Sequence, residues 1–356
     1  MEDYRIDFTK LDDERPIGVS GLMRVKNDGQ FVAASIDSCI DALDELVVVY
    51  DDSEDNTEEE IKTKQKEYPN KIKIYHYEPE IYSHNLDDSS FQEVLALPLD
   101  SEHLLANYYN WTMSKASYRY CFKIDADQIY FTTKLKFICD LYRTTEKTNI
   151  CIGELLSYWY FRVLSKVFAI YPRLLSRWTS KLFMWRKQAG CVQSYIYKRI
   201  QNEKIITSFS GINLFFDGDV KVPLGRFSDG VQPPINGSGD HIFFQPSSYN
   251  KYEVWPQKEY HRVIEIMKPR ERMYFGGGFL WLHMNAMRKN IYKKNKVNYQ
   301  GHTIGMDKFL EENFFKIEKN YGFKISFSMR PVIYQSLLID NKEIGENVKK
   351  YKYLFT

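Results

Sequence analysis

The run Leu46-Val-Val-Val-Tyr50 constrains this chain more than any other segment. Five consecutive apolar, mostly β-branched residues have no polar face to turn to water. They fit a strand covered on both sides, as in a parallel α/β sheet. The flanking sequence agrees. Ile17-Gly-Val-Ser-Gly-Leu-Met23 reads as a second short buried strand. Residues 31–43 place apolar side chains at Phe31, Val32, Ile36, Cys39, Ile40 and Leu43, the spacing of an amphipathic helix. After the acidic loop Asp51-Asp-Ser-Glu-Asp-Asn-Thr57, Thr57 and Glu60 predict a capping box that opens a helix. Lys71-Ile-Lys-Ile-Tyr75 gives a third strand, residues 102–115 a helix and residues 118–124 a fourth strand. This alternation predicts an α/β fold with a mostly parallel sheet flanked by helices. Ligands of such sheets sit at the carboxyl ends of the strands, where Arg24, Asp51 and Asp125 fall.

Composition narrows the class. The 356 residues carry 49 Lys and Arg against 47 Asp and Glu, a net charge of +2, so no global charge points to nucleic acid as partner. Hydrophobic residues at 44% exclude wholesale disorder, and the length allows two domains. Aromatic residues reach 16%, which suits either sugar-like ligands or a Tyr-rich core. Cys39, Cys121, Cys139, Cys151 and Cys191 form no Cys-x-x-Cys pair, so reduced thiols and a cytoplasmic setting are expected. The first residues are acidic and polar, unlike a signal peptide, and no apolar stretch reaches 18 residues. A soluble or surface-bound protein is expected, at most at the inner face of the cytoplasmic membrane.

Residues 150–204 depart from the rest. Ten cations (Arg162, Lys166, Arg173, Arg177, Lys181, Arg186, Lys187, Lys198, Arg199, Lys204) face two acids, Glu154 and Glu203, a local charge of ten minus two, or +8. They are interleaved with Trp159, Tyr160, Phe161, Phe168, Tyr171, Trp178, Phe183 and Trp185. Such a segment either packs on the core as an amphipathic helical hairpin or meets an anionic membrane or lipid-linked substrate. The expected organisation is residues 1–149 as the first α/β half, 150–204 as the basic aromatic insertion, 205–289 as a second half, and a helical, basic extension over 290–356.

Four places could carry chemistry. Phe122-Lys-Ile-Asp125-Ala-Asp127 puts two carboxylates one residue apart at the end of an apolar strand, where they raise a pKa or demand a cation such as Mg²⁺ or Mn²⁺. Asp51, at the tip of the second strand, can accept hydrogen bonds from a nucleotide base or ribose. Pro234-Ile-Asn-Gly-Ser-Gly-Asp240-His241 reads as a flexible turn that delivers one acid, either a helix cap or a general base. Phe275-Gly-Gly-Gly-Phe-Leu-Trp-Leu-His283 ends an apolar strand in a histidine suited to the core or to a metal, and Arg288 and Lys289 follow with charge for phosphate. Neither a Gly-x-Gly-x-x-Gly after the first strand nor a Walker loop is present.

These residues resemble glycosyltransferases of the GT-A fold, in the style of the family-two class that builds bacterial surface polysaccharides. Residues 18–27 resemble its first nucleotide-contacting strand and loop. Val47-Val-Val-Tyr-Asp51-Asp-Ser-Glu-Asp55-Asn-Thr57 is similar to its second-strand signature, and Ile124-Asp125-Ala-Asp127 to its metal-binding Asp-x-Asp motif. The likeness extends over about residues 15–290 and is specific for the first 130.

It implies a Mn²⁺ or Mg²⁺ ion on Asp125, Asp127 and His283, and Asp240 as the base of an inverting transfer. Nucleotide contacts are implied from Arg24, Asp51, Asn110, Lys123, Asp125, Ala126, Arg288 and Lys289. The implied partners are a nucleotide-sugar donor, with UDP favoured, and a glycan or lipid-linked saccharide acceptor. Tyr50 stands where the class usually has its first acid, and the Gln/Arg-x-x-Arg-Trp element of processive synthases is missing. A processive synthase is therefore not expected. The rival readings are a nucleotidyltransferase or metal phosphohydrolase, which would need a denser set of ligands, and a non-catalytic sugar-binding module.

Overall fold

The structure is a computed structural model that describes residues 4–170, 182–224, 235–269, 273–311 and 341–354. In chain order the elements begin β1 (Val19–Val25), α1 (Val32–Cys39), β2 (Glu45–Tyr50), α2 (Thr57–Glu67) and β3 (Ile72–His76). There follow α3 (Asp88–Leu95), α4 (Leu105–Ser114), β4 (Tyr120–Asp125), β5 (Gln128–Tyr130), α5 (Thr132–Arg143), α6 (Ile152–Ile170) and α7 (Leu182–Glu203). Next come β6 (Thr207–Asn213), β7 (Phe215–Phe216), β8 (Val220–Pro223), β9 (Ile235–Phe244), β10 (Tyr252–Gln257), β11 (Arg262–Met267) and β12 (Tyr274–His283). The chain continues through α8 (Tyr292–Asn298), β13 (Thr303–Gly305), α9 (Met306–Glu311) and α10 (Asn341–Lys350). Contacts divide it into two compact units, Met1–Ala126 with Ile242–Met273 and Asp127–His241 with Tyr274–Thr356.

The first unit holds strands in the order β3-β2-β1-β4, with the end of β9 beside β4. β1 runs parallel to both β2 and β4, and β2 runs parallel to β3. The end of β9 pairs antiparallel, Phe122 opposite Phe243, and their rings stack at 4.1 Å. Leu46, Val47, Val48 and Val49 are wholly buried, as a run without a polar face requires. Each such side chain contributes roughly 1.5–3 kcal/mol on burial. A hairpin of β10 and β11 packs against α4, fixed by Asn110, whose amide donates to Tyr252 O (2.9 Å) and accepts from Tyr252 N (2.8 Å).

One local expectation is corrected. Thr57 is the first residue of α2, and the cap comes from Asp55, whose Oδ1 accepts from Thr57 N (3.0 Å) and from the Thr57 hydroxyl. A carboxylate two residues before the helix reaches its free amides more directly than the Thr57 hydroxyl can. Glu60 instead accepts from the Asn56 side chain. Glu58, Glu59 and Glu60 in the first turn and Lys64 and Lys66 in the last complement the helix dipole.

In the second unit the order is β9-β6-β12-β5, with β6 and β12 parallel and β5 antiparallel to β12. β12 is irregular at its glycines: its register against β6 shifts between Phe275 and Trp281, and Gly278 takes φ +119°. A Cβ on Gly277 would stand 2.3 Å from the Phe209 ring. The expected turn over 234–241 is a strand from Ile235 onward, Pro234 lying outside the described residues. Gly237 admits Trp281 and His241 against its backbone at φ +77°, so that glycine answers close packing inside a sheet rather than a turn.

Helices α6 and α7 pack against each other, and α7 against α5 and β12. A small antiparallel sheet, β13-β8-β7, brings a strand from the segment expected to be helical throughout.

Candidate functional site

In the first unit the loops after β1 and β2 are laced together. Asn27, at φ +54°, accepts from Glu54 N through its side chain (2.7 Å) and donates its own N–H to Ser53 Oγ (3.1 Å). Asp28 N donates to Thr57 Oγ1 (2.8 Å), and Gly29 N to Asp55 Oδ2 (3.0 Å). A Cβ on Gly29 would stand 2.2 Å from the Asn56 side-chain oxygen, so the two loops approach closely here. The lacing holds Asp51 at the carboxyl end of β2 with only 5% of its surface exposed. Lys26 Nζ lies 3.0 Å from Asp51 Oδ2, while Oδ1 is buried and has no hydrogen-bond partner. Burial pushes the Asp51 carboxyl above its ordinary value against the pull of Lys26.

Arg24 lies on β1 directly opposite Asp125 of β4, Nη2 to Oδ1 3.7 Å. Its guanidinium carbon stands 3.1 Å from the centre of the Tyr109 ring, and its Nη1 is likewise buried without a partner. Burial opposes the charge, but Tyr109, Tyr252, Asp125 and Glu265 outweigh it and raise the Arg24 pKa. Lys123 is buried, 3.5 Å from Glu265 and 5.0 Å from the Tyr109 ring centre. Tyr50 stacks on His76 at 4.8 Å and donates to Glu58, so an aromatic pair stands where the resembling class has an acid.

The second unit begins at Asp127, one residue beyond Ala126. Its carboxylate is 5% exposed. Asp127 Oδ2 lies 3.0 Å from Arg288 Nη2 and 3.6 Å from His283 Nε2. His283 Nδ1 lies 2.6 Å from Asn213 Oδ1, and with Nδ1 as the donor of that bond Nε2 would present its lone pair on the side of Asp127. Sheet register builds this arrangement. His283 faces Asn213 of β6 on one side and Gln128 of β5 on the other, and Met284 N closes onto Asp127 O (2.8 Å). Below lies a polar network in which Tyr130 donates to Gln128 (2.6 Å), Gln128 Nε2 meets His241 Nε2 (2.8 Å) and Trp281 donates to Asn236 (2.8 Å).

This donor set can be tested against a divalent cation. A carboxylate oxygen and an imidazole lone pair that face one another, with the other ring nitrogen fixed by Asn213, match how a metal-binding histidine is usually oriented. Among the described residues no three Asp, Glu, His or Cys side chains gather as a complete cage. An ion that takes most of its ligands from water and a diphosphate needs no such cage. Asp127 and His283 fit it.

The other expected residues are placed as follows. Asn110 is buried, and its amide donates to Tyr252 O and accepts from Tyr252 N, which ties α4 to β10. Ala126 is buried in the turn between β4 and β5, and Lys289 is exposed. Asp240 lies on β9, and its side chain is outside the described residues. Lys26, Tyr109, Asn213 and Glu265 are additions. Asn213 could have been marked as a polar residue ending an apolar strand, whereas nothing local links Glu265 to Lys123.

Residues 3–163, just under half of the chain, match the family model described as beta-1,4-N-acetylgalactosaminyltransferase (CgtA). Over those residues the chain is similar to a glycosyltransferase family. The comparison with curated proteins gave no match. Among solved structures, glucosyl-3-phosphoglycerate synthase from Mycobacterium tuberculosis, in complex with Mn²⁺, UDP and glucosyl-3-phosphoglycerate, is 16% identical over 35% of this chain and 37% of that one, TM-score 0.22. The same synthase with phosphoglyceric acid is 19% identical over 35% and 37%, TM-score 0.21. A further mycobacterial protein is 14% identical over 35% of each chain, TM-score 0.21. The chain thus spans little more than a third of the length of these structures. Among the described residues no helix is long and apolar enough to cross a membrane.

Proposed function

We propose that the protein transfers a sugar from a uridine diphosphate sugar to a hydroxyl of a glycan or lipid-linked saccharide, with inversion at the anomeric carbon. The observation that carries the reading is Asp51 Oδ1, a buried carboxylate oxygen without a protein donor at the carboxyl end of a parallel strand. Leaving such an atom unsatisfied costs on the order of 1–3 kcal/mol, which a base or ribose N–H or O–H would recover. Arg24 Nη1, also without a partner, offers a donor of the opposite kind. An N-acetylhexosamine as the donor sugar, and a β-linked product, come from the description of the matching family.

Asp127 and His283 would hold Mn²⁺ or Mg²⁺. When bound, the ion supplies positive charge to the two phosphates and makes the diphosphate a better leaving group. The chain's own residues do the rest. Arg288, with Lys289 next to it, supplies further positive charge as the bond from the anomeric carbon to the diphosphate oxygen breaks. Asp240 takes the proton of the acceptor hydroxyl while that oxygen bonds to the same carbon from the opposite face.

The test combines calorimetry of UDP, with and without Mn²⁺, and a transfer assay with UDP-N-acetylhexosamines and UDP-hexoses. Mn²⁺-dependent UDP binding together with sugar delivery to an added saccharide is expected. Tight UDP binding without delivery to any acceptor would favour a sugar-nucleotide-binding module instead.

A further inference from the structure

Gln128 is a wholly buried amide in the second unit that the proposed reaction does not use. A leucine or methionine would fill the same core without the cost of desolvating an amide, so the polar group calls for a reason. Its hydrogen bonds supply one. Tyr130 donates to Gln128 Oε1 (2.6 Å), which turns the amide nitrogen toward His241 Nε2 (2.8 Å) and Asn236 Oδ1 (3.4 Å). In that orientation both amide hydrogens are spent, and His241 meets one of them with a ring nitrogen that accepts. The partners are themselves held. Asn236 Oδ1 accepts from Trp281 Nε1 (2.8 Å), and the His241 ring lies 4.5 Å from the Trp281 ring. Tyr130, His241 and Trp281 are buried as well. An amide tied to three partners in a close-packed core is confined to one rotamer.

What this confinement fixes is the backbone on which Asp127 stands. Gln128 follows Asp127 in the chain and is the cross-strand partner of His283 in the pairing of β5 with β12, as Tyr130 is of Trp281. Met284 N donates to Asp127 O (2.8 Å). The peptide that joins Asp127 to Gln128 is thus gripped twice, by the main chain of Met284 and by the side chain of Gln128. The 3.6 Å between Asp127 Oδ2 and His283 Nε2 is set by that peptide on one strand and by the contact of His283 with Asn213 on the other.

We propose that Gln128 is a positioning residue for the cation site: through Tyr130 and His241 it holds Asp127 at a fixed distance from His283. The inference rests on the reading of Asp127 and His283 as the pair that holds Mn²⁺. Packing alone explains less. It accounts for a buried side chain at position 128, but not for an amide engaged at both its oxygen and its nitrogen, next in the chain to a carboxylate that meets His283.

The test is a calorimetric titration of Mn²⁺ in the presence of UDP, with the melting temperature measured on the same samples. Gln128→Met keeps the volume and removes the side-chain hydrogen bonds, and Mn²⁺ affinity should fall about tenfold. Tyr130→Phe removes one hydroxyl and keeps the ring, so it tests the same contact even where the first variant fails to fold, and should lose about threefold. In the double variant the Tyr130 change should add nothing, because it acts only through Gln128. UDP affinity without metal should stay that of wild type in all three. Val222→Ala, a truncation in the buried core of β8, is the control: it should lower the melting temperature and leave the titration unchanged. If wild type binds Mn²⁺ and Asp127→Ala abolishes that binding, but the Gln128 and Tyr130 variants titrate like wild type, the inference falls and the metal reading stands. Losses that merely follow the melting temperature, with Val222→Ala weakening Mn²⁺ as much, would overturn it too. A wild type that binds no Mn²⁺ beside UDP would overturn the metal reading and this inference with it.

Discussion

The loops around Asp51 and the strand ends around Asp127 both hold a buried carboxylate beside a cation, but the two carboxylates differ in what they leave open. Asp51 Oδ1 and Arg24 Nη1 lack partners, whereas Asp127 Oδ2 already meets Arg288 at 3.0 Å. A ligand entering the first unit gains hydrogen bonds without breaking any at those atoms. One that recruits Asp127 must compete with a guanidinium. The difference separates recognition from charge handling: an unsatisfied atom reads a ligand's donors, while a compensated pair can shift its cation as charge builds elsewhere.

If this division holds, substitutions in the second unit strike turnover and those in the first strike affinity. The largest effect is expected for Asp240→Asn, which should lower transfer by about a thousandfold or more while UDP still binds with Mn²⁺ by calorimetry. Near-normal turnover would remove Asp240 from its proposed role. Asp127→Ala should cost about a thousandfold in turnover and abolish the effect of Mn²⁺ on UDP affinity. Unchanged Mn²⁺ dependence would break the assignment of the metal to this cluster.

Asn213→Ala sharpens the comparison further. Without the Nδ1 partner His283 loses its orientation, and Mn²⁺ affinity, measured by titration in the presence of UDP, should weaken about tenfold to a hundredfold. An unaltered titration would leave Asn213 with a role in packing alone.

Asp51→Asn is the mildest and the most informative about the first unit. UDP affinity should fall about tenfold, with turnover at saturating donor nearly kept. Stability should move the other way. Burial raises the Asp51 pKa above its ordinary value of 3.8, so the folded protein holds that proton more tightly than the unfolded chain. The carboxylate therefore costs stability as pH rises from 3.8 through its raised folded-state value. Nucleotide-free wild type should lose melting temperature over that window, and Asp51→Asn should lose less. Parallel pH profiles would show that Lys26 compensates the charge fully.

Much of the first unit could be read in advance. The buried run ending in Tyr50 could be nothing but an inner strand, and the alternation around it fixed where Arg24, Asp51 and Asp125 would emerge. What escaped reading depended on partners distant in the chain. Asn213 reaches His283 because β6 and β12 pair, and Glu265 reaches Lys123 from the separate β10–β11 hairpin. Glycines misled at residues 235–240 because local sequence cannot tell a turn from a strand thinned to admit Trp281.

The mutual bracing of residues 27–29 and 53–57 has a thermodynamic corollary. A nucleoside that bound at these braced loops, as proposed, would meet backbone with little disorder left to surrender. Free energy that a loose flap would spend on closing would then be retained as residence time. A ring with its donors displaced would find no slack to accommodate it, so choice among bases should be strict even where the overall grip is modest.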